Sequence, residues 1–354
     1  MIKPPYRIPL MAEIEEIPKN GLLVASTFSG CGGSSLGYKM AGCKVVYANE
    51  FVPAAYETYQ ANFPGTFVDT RDIRTITGHD VLEKCGLKPG QLDILDGSPP
   101  CAAFSVCGVK DEAWGKEKVY SDTTQRVDDL FFEYIRLLKV IQPKVFVAEN
   151  VSGLIKGTAK GYFKEILVKM KESGYRVRCA LLNAGGLGVP QKRERAIFIG
   201  VREDLKIDPV HPEPLPYHYT LKEAFEGVSK DGLEYWLPKG SKGEILWRNS
   251  EPGTELRIAA KKLYKKDGWF NYKKLSPNRQ SLTMVQGSQG LLHWDEPRTL
   301  SIAEAKRVCS FHDDFKLSGS FSQQWERLGR AVPPMMMCHI AKTIEEKILC
   351  KTAR

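Results

Sequence analysis

The first two hundred residues repeat one short unit, an apolar β-rich run followed by a helical pattern. That rhythm restricts the fold more than any other feature of the chain. Strands are predicted over Leu22–Phe28, Lys44–Asn49, Leu92–Asp96, Lys144–Glu149, Arg176–Asn183 and Arg195–Val201. Helical spacing fills the intervals at Ser34–Ala41, Pro53–Asn62, Val127–Ile141 and Gly161–Ser173, the last stopped by Gly174. This alternation implies an α/β fold, a Rossmann-like, doubly wound, mostly parallel sheet with helices on both faces. Ligands of such sheets bind beyond the C-terminal strand ends, so the loops there are where chemistry is expected.

The rhythm breaks near Asp204 at the proline-rich junction HPEPLPYHY. The ninety or so residues that follow are dense in Gly, Pro, Lys and aromatics without a clear helical period. They read as a second, smaller, irregular and β-leaning domain. Two helical patterns come later, at Ile302–Cys309 and from Pro334 to about Leu349. A length of 354 residues accommodates one large domain and one smaller one.

Charge adds a clue. The formal net charge is +9, and eleven Lys/Arg face four Asp/Glu between Lys239 and Arg279. Trp247, Tyr264, Trp269, Phe270 and Tyr272 are interleaved with them. A basic, aromatic-rich stretch suits a surface that contacts phosphates, since phosphate neutralisation supplies most non-specific affinity for nucleic acid. A solvated basic face is the competing reading. No apolar run reaches the length needed to span a bilayer, and the proline- and acid-bearing N-terminus does not read as a signal peptide. The expectation is a soluble, cytoplasmic protein with no membrane partner. Nine cysteines form no CxxC pair, so no metal site is expected, and a cysteine with a function must be found from its neighbours.

Five segments carry chemistry. After the first strand comes FSGCGGSSLG, Phe28–Gly37, whose glycines let backbone approach a ligand at a helix N-terminus. Ser35 stands where a dinucleotide fingerprint needs Gly, which argues against a nicotinamide dehydrogenase. The second strand ends in Asn49-Glu50, an acid placed for ribose hydroxyls, followed by Phe51, which is able to stack on a base. The strand LDILD runs into GSPPCAAFS, Gly97–Ser105, where the stiff Pro-Pro pair presents Cys101. A thiolate there is a nucleophile if its surroundings favour ionisation; a structural cysteine in a turn is the alternative. KVFVAE ends in Glu149, a carboxyl at the end of a buried strand and a candidate proton donor, or a helix-capping acid. Finally Gln191, Arg193 and Arg195 alternate ahead of a strand in VPQKRERAIFIG, on one face and suited to phosphates or carbonyl oxygens, or else arming a sheet edge.

Taken in order, these segments resemble the cytosine-C5 DNA methyltransferase family. FSGCGGSSLG is similar to its first cofactor motif, GSPPCAAFS to its Pro-Cys motif, and ENV and QKRER to the next two. RTLSIAEAKRVCSF (Arg298–Phe311) resembles the late helix motif and LGRAVPP (Leu328–Pro334) the C-terminal one. The resemblance implies a class I methyltransferase sheet that uses S-adenosyl-L-methionine and releases S-adenosyl-L-homocysteine. It also implies methyl transfer to C5 of a flipped-out cytosine in a specific double-stranded DNA sequence through a covalent Cys101–C6 adduct. Cys101, Glu149, Arg193 and Arg195 become the expected catalytic residues. Phe28, Ser29, Gly30, Cys31, Gly32, Gly33, Glu50, Phe51, Asp72, Ile73, Gly97, Pro100, Ala331 and Val332 become the expected cofactor contacts. Ser105, Gln191, Lys261, Lys262, Lys265 and Lys266 are expected at DNA.

By the same resemblance, residues 1–204 with 329–354 form the catalytic domain, 205–296 the target-recognition domain and 297–328 a hinge segment. A segment from Ala102 to about Val127 is expected to close over DNA. The expected protein is a monomer of a restriction–modification pair, with a cognate restriction endonuclease as a functional partner only. Two positions depart from the family pattern: Ala102 follows the nucleophile in place of Gln, and Arg330 stands in place of Asn. One branch of the family methylates transfer RNA and would share Cys101 and Glu149. The separate basic segment favours DNA.

Overall fold

The computed structural model describes residues 3–100, 130–156, 160–229, 234–265, 268–269, 271–287 and 290–351, with the backbone of Glu117–Val119 and Thr124–Arg126. The chain forms two compact units. One comprises Ala12–Asn183, Glu194–Pro214 and Val332–Arg354; the other comprises Met1–Met11, Ala184–Arg193 and Leu215–Ala331.

The first unit is built on a seven-stranded sheet. Its strands are β1 (Leu23–Thr27), β2 (Lys44–Asn49), β3 (Phe67–Asp69), β4 (Ile94–Gly97), β5 (Val145–Val151), β6 (Tyr175–Asn183) and β7 (Glu194–Arg202). The spatial order is β3-β2-β1-β4-β5-β7-β6, and β7 alone runs against its neighbours. The helices between them are α1 (Gly33–Met40), α2 (Pro53–Asn62), α3 (Gly78–Cys85), α4 (Leu130–Ile141) and α5 (Lys160–Glu172).

Both faces of the sheet are covered, as the apolar strands require. Ala25, Tyr47, Leu95, Phe146, Ala148 and Phe198 point one way, into a core completed by Val81 and Leu82 of α3 and Leu130, Tyr134 and Leu138 of α4. The alternate residues Val24, Ile94, Val145, Val147, Ile197 and Ile199 point the other way and are equally buried. On that second face α1 packs against the C-terminal helix, Pro334–Lys347. The approach is close enough to demand Gly37, because a Cβ there would lie 2.5 Å from the Pro334 carbonyl and 2.6 Å from Met337 Cβ.

The predicted strands and helices of this unit appear within a few residues of their expected ends, though residues 127–129 lie outside the described residues. β3 and α3 are among the elements not anticipated. β3 has only three residues, too few for a periodicity. α3 is eight residues long and depends on its N-terminus, where Thr77 and Asp80 form a reciprocal capping box.

The second unit is irregular but not β-leaning. Its described strands are the two-residue pieces Lys273–Lys274 and Leu291–Leu292, which pair in parallel. Helices dominate: α6 (Lys242–Arg248), α7 (Leu256–Tyr264), α8 (Ile302–Val308) and α9 (Phe321–Arg330). α8 stands where the helix Ile302–Cys309 was expected, whereas α6, α7 and α9 were not anticipated. Leu246, Trp247, Leu256, Ala259, Ala260 and Leu292 form one small core, and the Trp247 indole donates to the His293 carbonyl at 2.8 Å.

The division of the chain also differs from the expected boundaries. Residues 297–328 belong to the second unit rather than to a separate segment. Residues 3–11 join it too, because Tyr6 donates to the Arg307 carbonyl at 2.7 Å and Tyr219 donates to the Pro4 carbonyl at 3.1 Å.

Candidate active site

The strand order reverses between β1 and β4, and the loops leaving these two strands lie side by side at the point where a doubly wound sheet binds ligands. The β1 loop turns through three left-handed residues, Phe28 at φ 53°, Gly30 at 56° and Gly32 at 96°. A side chain at Gly32 would strike the Phe63 ring at 2.3 Å, whereas a Cβ on Gly30 would meet nothing within 4 Å. The loop is therefore tight against the protein on one side and open on the other. Ser29, Cys31 and Gly33 are buried within the turn, and the partly buried Phe28 packs against the core.

Glu50 follows β2 and locks this loop. One carboxylate oxygen accepts from the Gly30 amide at 2.7 Å and the other from the Val52 amide at 2.8 Å. A carboxylate oxygen accepts more than one hydrogen bond, so this group is of a kind that suits ligand hydroxyls. Phe51 is half-buried beside it. Asn49 reaches across to the carbonyls of Asp69 and Arg71 at 2.9 and 3.0 Å, anchoring the turn that carries Asp72 and the buried Ile73. Asp72 accepts from the Arg74 amide at 3.0 Å. An open backbone turn, a carboxylate set for hydroxyls and flanking apolar side chains fit a nucleoside-containing cofactor.

β4 ends at Gly97, where a Cβ would lie 2.5 Å from the Tyr134 ring. The described chain continues through Ser98, Pro99 and the half-buried Pro100; Cys101, Ala102, Ser105 and Lys266 lie outside the described residues. Asn150, on the next strand, donates to the Pro99 carbonyl at 3.1 Å and fixes the base of this loop. Sequence reasoning gave Asn150 no role, although it is part of the ENV motif.

Beside Asn150, Glu149 is 9% exposed. Arg195 lies diagonally across the antiparallel β5–β7 pair, on the same face, because Glu149 opposes Ile197 and Val151 opposes Arg195. Arg195 Nε meets Glu149 Oε1 at 2.7 Å, and Arg195 Nη1 donates to the Glu194 carbonyl at 2.8 Å. Glu149 Oε2 and Arg195 Nη2 have no partner among the described residues. The pair thus offers one acceptor or proton-bearing oxygen and one N–H donor in adjacent positions.

Asp96 is a titratable group of this region that sequence reasoning passed over. It is fully buried on the same face, accepting from Ser26 Oγ at 2.9 Å and from Tyr38 OH at 3.3 Å. Burial pushes its carboxyl up to about 7, against the hydrogen bonds and with help from the Glu149 charge. The only signal in the sequence is an acid placed one residue inside the end of an apolar strand.

The structure separates the other expected site residues. Gln191 and Arg193 belong to the second unit and are 0% and 1% exposed. Gln191 donates to the Val308 carbonyl at 3.2 Å and accepts from the Met284 amide at 3.0 Å. Arg193 donates to the carbonyls of Met284 and Gly329 at 2.9 and 3.0 Å. Both side chains are thus spent on internal structure, which corrects the expectation of a DNA-facing Gln191 and a catalytic Arg193. Period two holds along the run, but β7 starts only at Glu194. Val332 is buried at the entry to the C-terminal helix, while Ala331 ends the second unit.

In the second unit, Lys261, Lys262 and Lys265 are exposed on and just after α7, beside exposed Ile258 and Leu263. Not all of the basic stretch is surface. Lys274 is buried with its ammonium 3.9 Å from the Trp247 ring centroid, whereas Arg248 is exposed and pairs with Glu244 at 2.7 Å. Arg330 is paired with Glu326 at 2.9 Å and Gln286 at 2.7 Å.

Comparison with known proteins agrees with this architecture. The chain is 31% identical over 347 residues to the type II methyltransferase M.NgoFVII of Neisseria gonorrhoeae, spanning 91% of this chain and 86% of that one. It is 31% identical over 359 residues to the type II methyltransferase M.Sau96I of Staphylococcus aureus, spanning 96% and 79%. The structure of Spodoptera frugiperda DNMT2, solved as a mutant, superimposes with a TM-score of 0.66 at 18% identity, over 92% of this chain and all of that one, a likeness of fold alone. The profile of C-5 cytosine-specific DNA methylases matches residues 22–346, so the chain belongs to that family.

Proposed function

We propose that this enzyme transfers a methyl group from S-adenosyl-L-methionine to C5 of a cytosine flipped out of a specific duplex DNA sequence, with Cys101 as nucleophile. The observation that carries the reading is the Glu149–Arg195 pair at 2.7 Å, on the strand whose Asn150 holds the base of the Pro-Pro-Cys loop. The cofactor, when bound, supplies an electrophilic methyl group. Phe28–Gly33, Glu50, Phe51, Asp72, Ile73, Gly97 and Pro100 are the residues of this chain that would hold it, Glu50 through ribose hydroxyls.

Cytosine C5 is too weak a nucleophile to take a methyl group unaided. The Cys101 thiolate adds to C6 and turns C5 into an enamine-like carbon. Glu149 protonates or hydrogen-bonds N3 through Oε2, which limits charge in the ring. Arg195 holds Glu149 through Nε and meets the O2 edge through Nη2. After methylation C5 loses its proton, to water in this reading, and the electron pair returns to expel Cys101. Because C6 is stacked inside a duplex, the base leaves the helix first, at a cost of a few kcal/mol.

The 205–296 segment would recognise the target, with Lys261, Lys262, Lys265 and Lys266 on phosphates and Ser105 near the base. The protein would act as a cytoplasmic monomer, alongside a restriction endonuclease that cuts the same site.

Transfer of labelled methyl to duplex DNA, tRNA and no nucleic acid, with wild type and Cys101→Ser, tests the reading. Label on DNA cytosine, lost in the variant, is expected. Label confined to tRNA refutes the substrate, and turnover by Cys101→Ser refutes the nucleophile.

A further inference from the structure

We propose that Asp96 is the counter-charge of the cofactor site, a positioning carboxylate beneath the Phe28–Gly33 loop that favours the cationic sulfonium cofactor over its uncharged thioether product. The inference rests on the cofactor reading given above.

Three observations carry it. A buried charge is ordinarily paired with an opposite one. Asp96 is 1% exposed, yet among the described residues its carboxyl meets hydroxyls and no cation. Those hydroxyls come from both ends of the glycine loop. Ser26 precedes the loop, while Ser34 and Tyr38 follow it in α1. Ser29, inside the loop, donates to the Ser26 carbonyl at 3.0 Å and lies 3.2 Å from the Ser26 hydroxyl. Asp96 also heads the Gly97–Pro100 segment that leads to Cys101, so one carboxyl ties the cofactor loop to the root of the nucleophile loop.

The remaining titratable groups around it do not supply the missing charge. Tyr38, Tyr59 and Tyr134, facing from α1, α2 and α4, are held protonated by burial. Glu149, from β5, adds negative charge, and its partner Arg195 is committed to it. Burial leaves Asp96 half-ionised near neutrality, so an arriving cation is expected to draw the proton off. An opposite charge nearby lowers a carboxyl pKa by about one unit or more, and each unit is about tenfold in affinity. The sign follows: cofactor affinity is low below the free carboxyl's pKa, rises as pH passes through it, and proton release accompanies binding.

Titration calorimetry of S-adenosylmethionine and S-adenosylhomocysteine between about pH 5 and 7.5, without DNA and in buffers of different ionisation enthalpy, tests this. Sulfonium affinity is expected to rise about five- to tenfold over that range with release of up to about half a proton, whereas thioether affinity stays level. Asp96→Asn keeps the shape and hydrogen-bonding capacity but should level both ligands, which also separates Asp96 from Glu149 as the titrating group. Equal pH dependence for the two ligands in wild type overturns the proposal, whether or not the variant folds. Binding of neither ligand overturns the cofactor reading and the proposal with it.

Discussion

Replacing Arg193 by Met separates a structural arginine from a catalytic one. The guanidinium holds the Met284 and Gly329 carbonyls at 2.9 and 3.0 Å, with the Arg330 carbonyl at 3.4 Å. A charge-assisted hydrogen bond contributes about 1.5–3 kcal/mol, so the two short ones together come to about 3–6 kcal/mol. Removing the buried charge returns part of this, because the guanidinium no longer has to be desolvated. A net loss of about 2–4 kcal/mol is expected, with Met filling most of the volume. For a urea dependence of about 2 kcal/mol/M, the midpoint should fall by about 1–2 M. Five of the six tryptophans, Trp236, Trp247, Trp269, Trp294 and Trp325, belong to the second unit, so intrinsic fluorescence reports this transition. Methyl transfer by the folded fraction should fall by less than about tenfold, since no reacting atom is touched. Arg195→Met should do the reverse, with turnover lowered by about a hundredfold or more and the fluorescence midpoint held. An unchanged midpoint for Arg193→Met together with a thousandfold loss of turnover would refute the structural assignment.

The other predictions concern the chemistry and the DNA surface. Glu149→Gln keeps the size of the side chain but replaces its carboxyl by an amide. Single-turnover methyl transfer should slow by about 10²-fold or more while DNA is still bound, and wild-type rates would exclude the proposed role at N3. Replacing Lys261, Lys262, Lys265 and Lys266 by Gln should weaken DNA binding and reduce the slope of log K against log salt by about 0.9 for each phosphate no longer neutralised. A salt dependence equal to wild type would move the DNA-facing surface elsewhere.

Much of the first unit was legible before the structure. Most of its strands are largely apolar runs, and its longer helices have enough turns to show an apolar face. The loops between them carry Gly, Pro and charge where backbone must turn or meet a ligand. Glu149 and Arg195 were both singled out from such strand ends, and the structure sets them 2.7 Å apart. β3 was missed because a three-residue strand holds too few repeats, and α3 because Gly78, Val81 and Leu82 are the only buried positions of its eight residues. In the second unit α8 stands where Ile302–Cys309 was expected, whereas α6, α7 and α9 were missed, and the Gly- and Pro-rich surroundings of α6 and α7 pointed toward β structure instead.

The sequence by itself determined the fold class and the family, because these follow from local periodicity and from short runs with fixed spacing. Tertiary structure alone decided how those residues divide. Gln191, Arg193 and Arg195 share one alternation in the chain, yet the first two are buried against carbonyls and amides of the second unit and the third faces Glu149 across the β5–β7 pair. Asp96 looked like the end of a strand until burial among three hydroxyls raised its carboxyl toward neutrality. Burial and partnership depend on residues distant in the chain, and no local pattern encodes them.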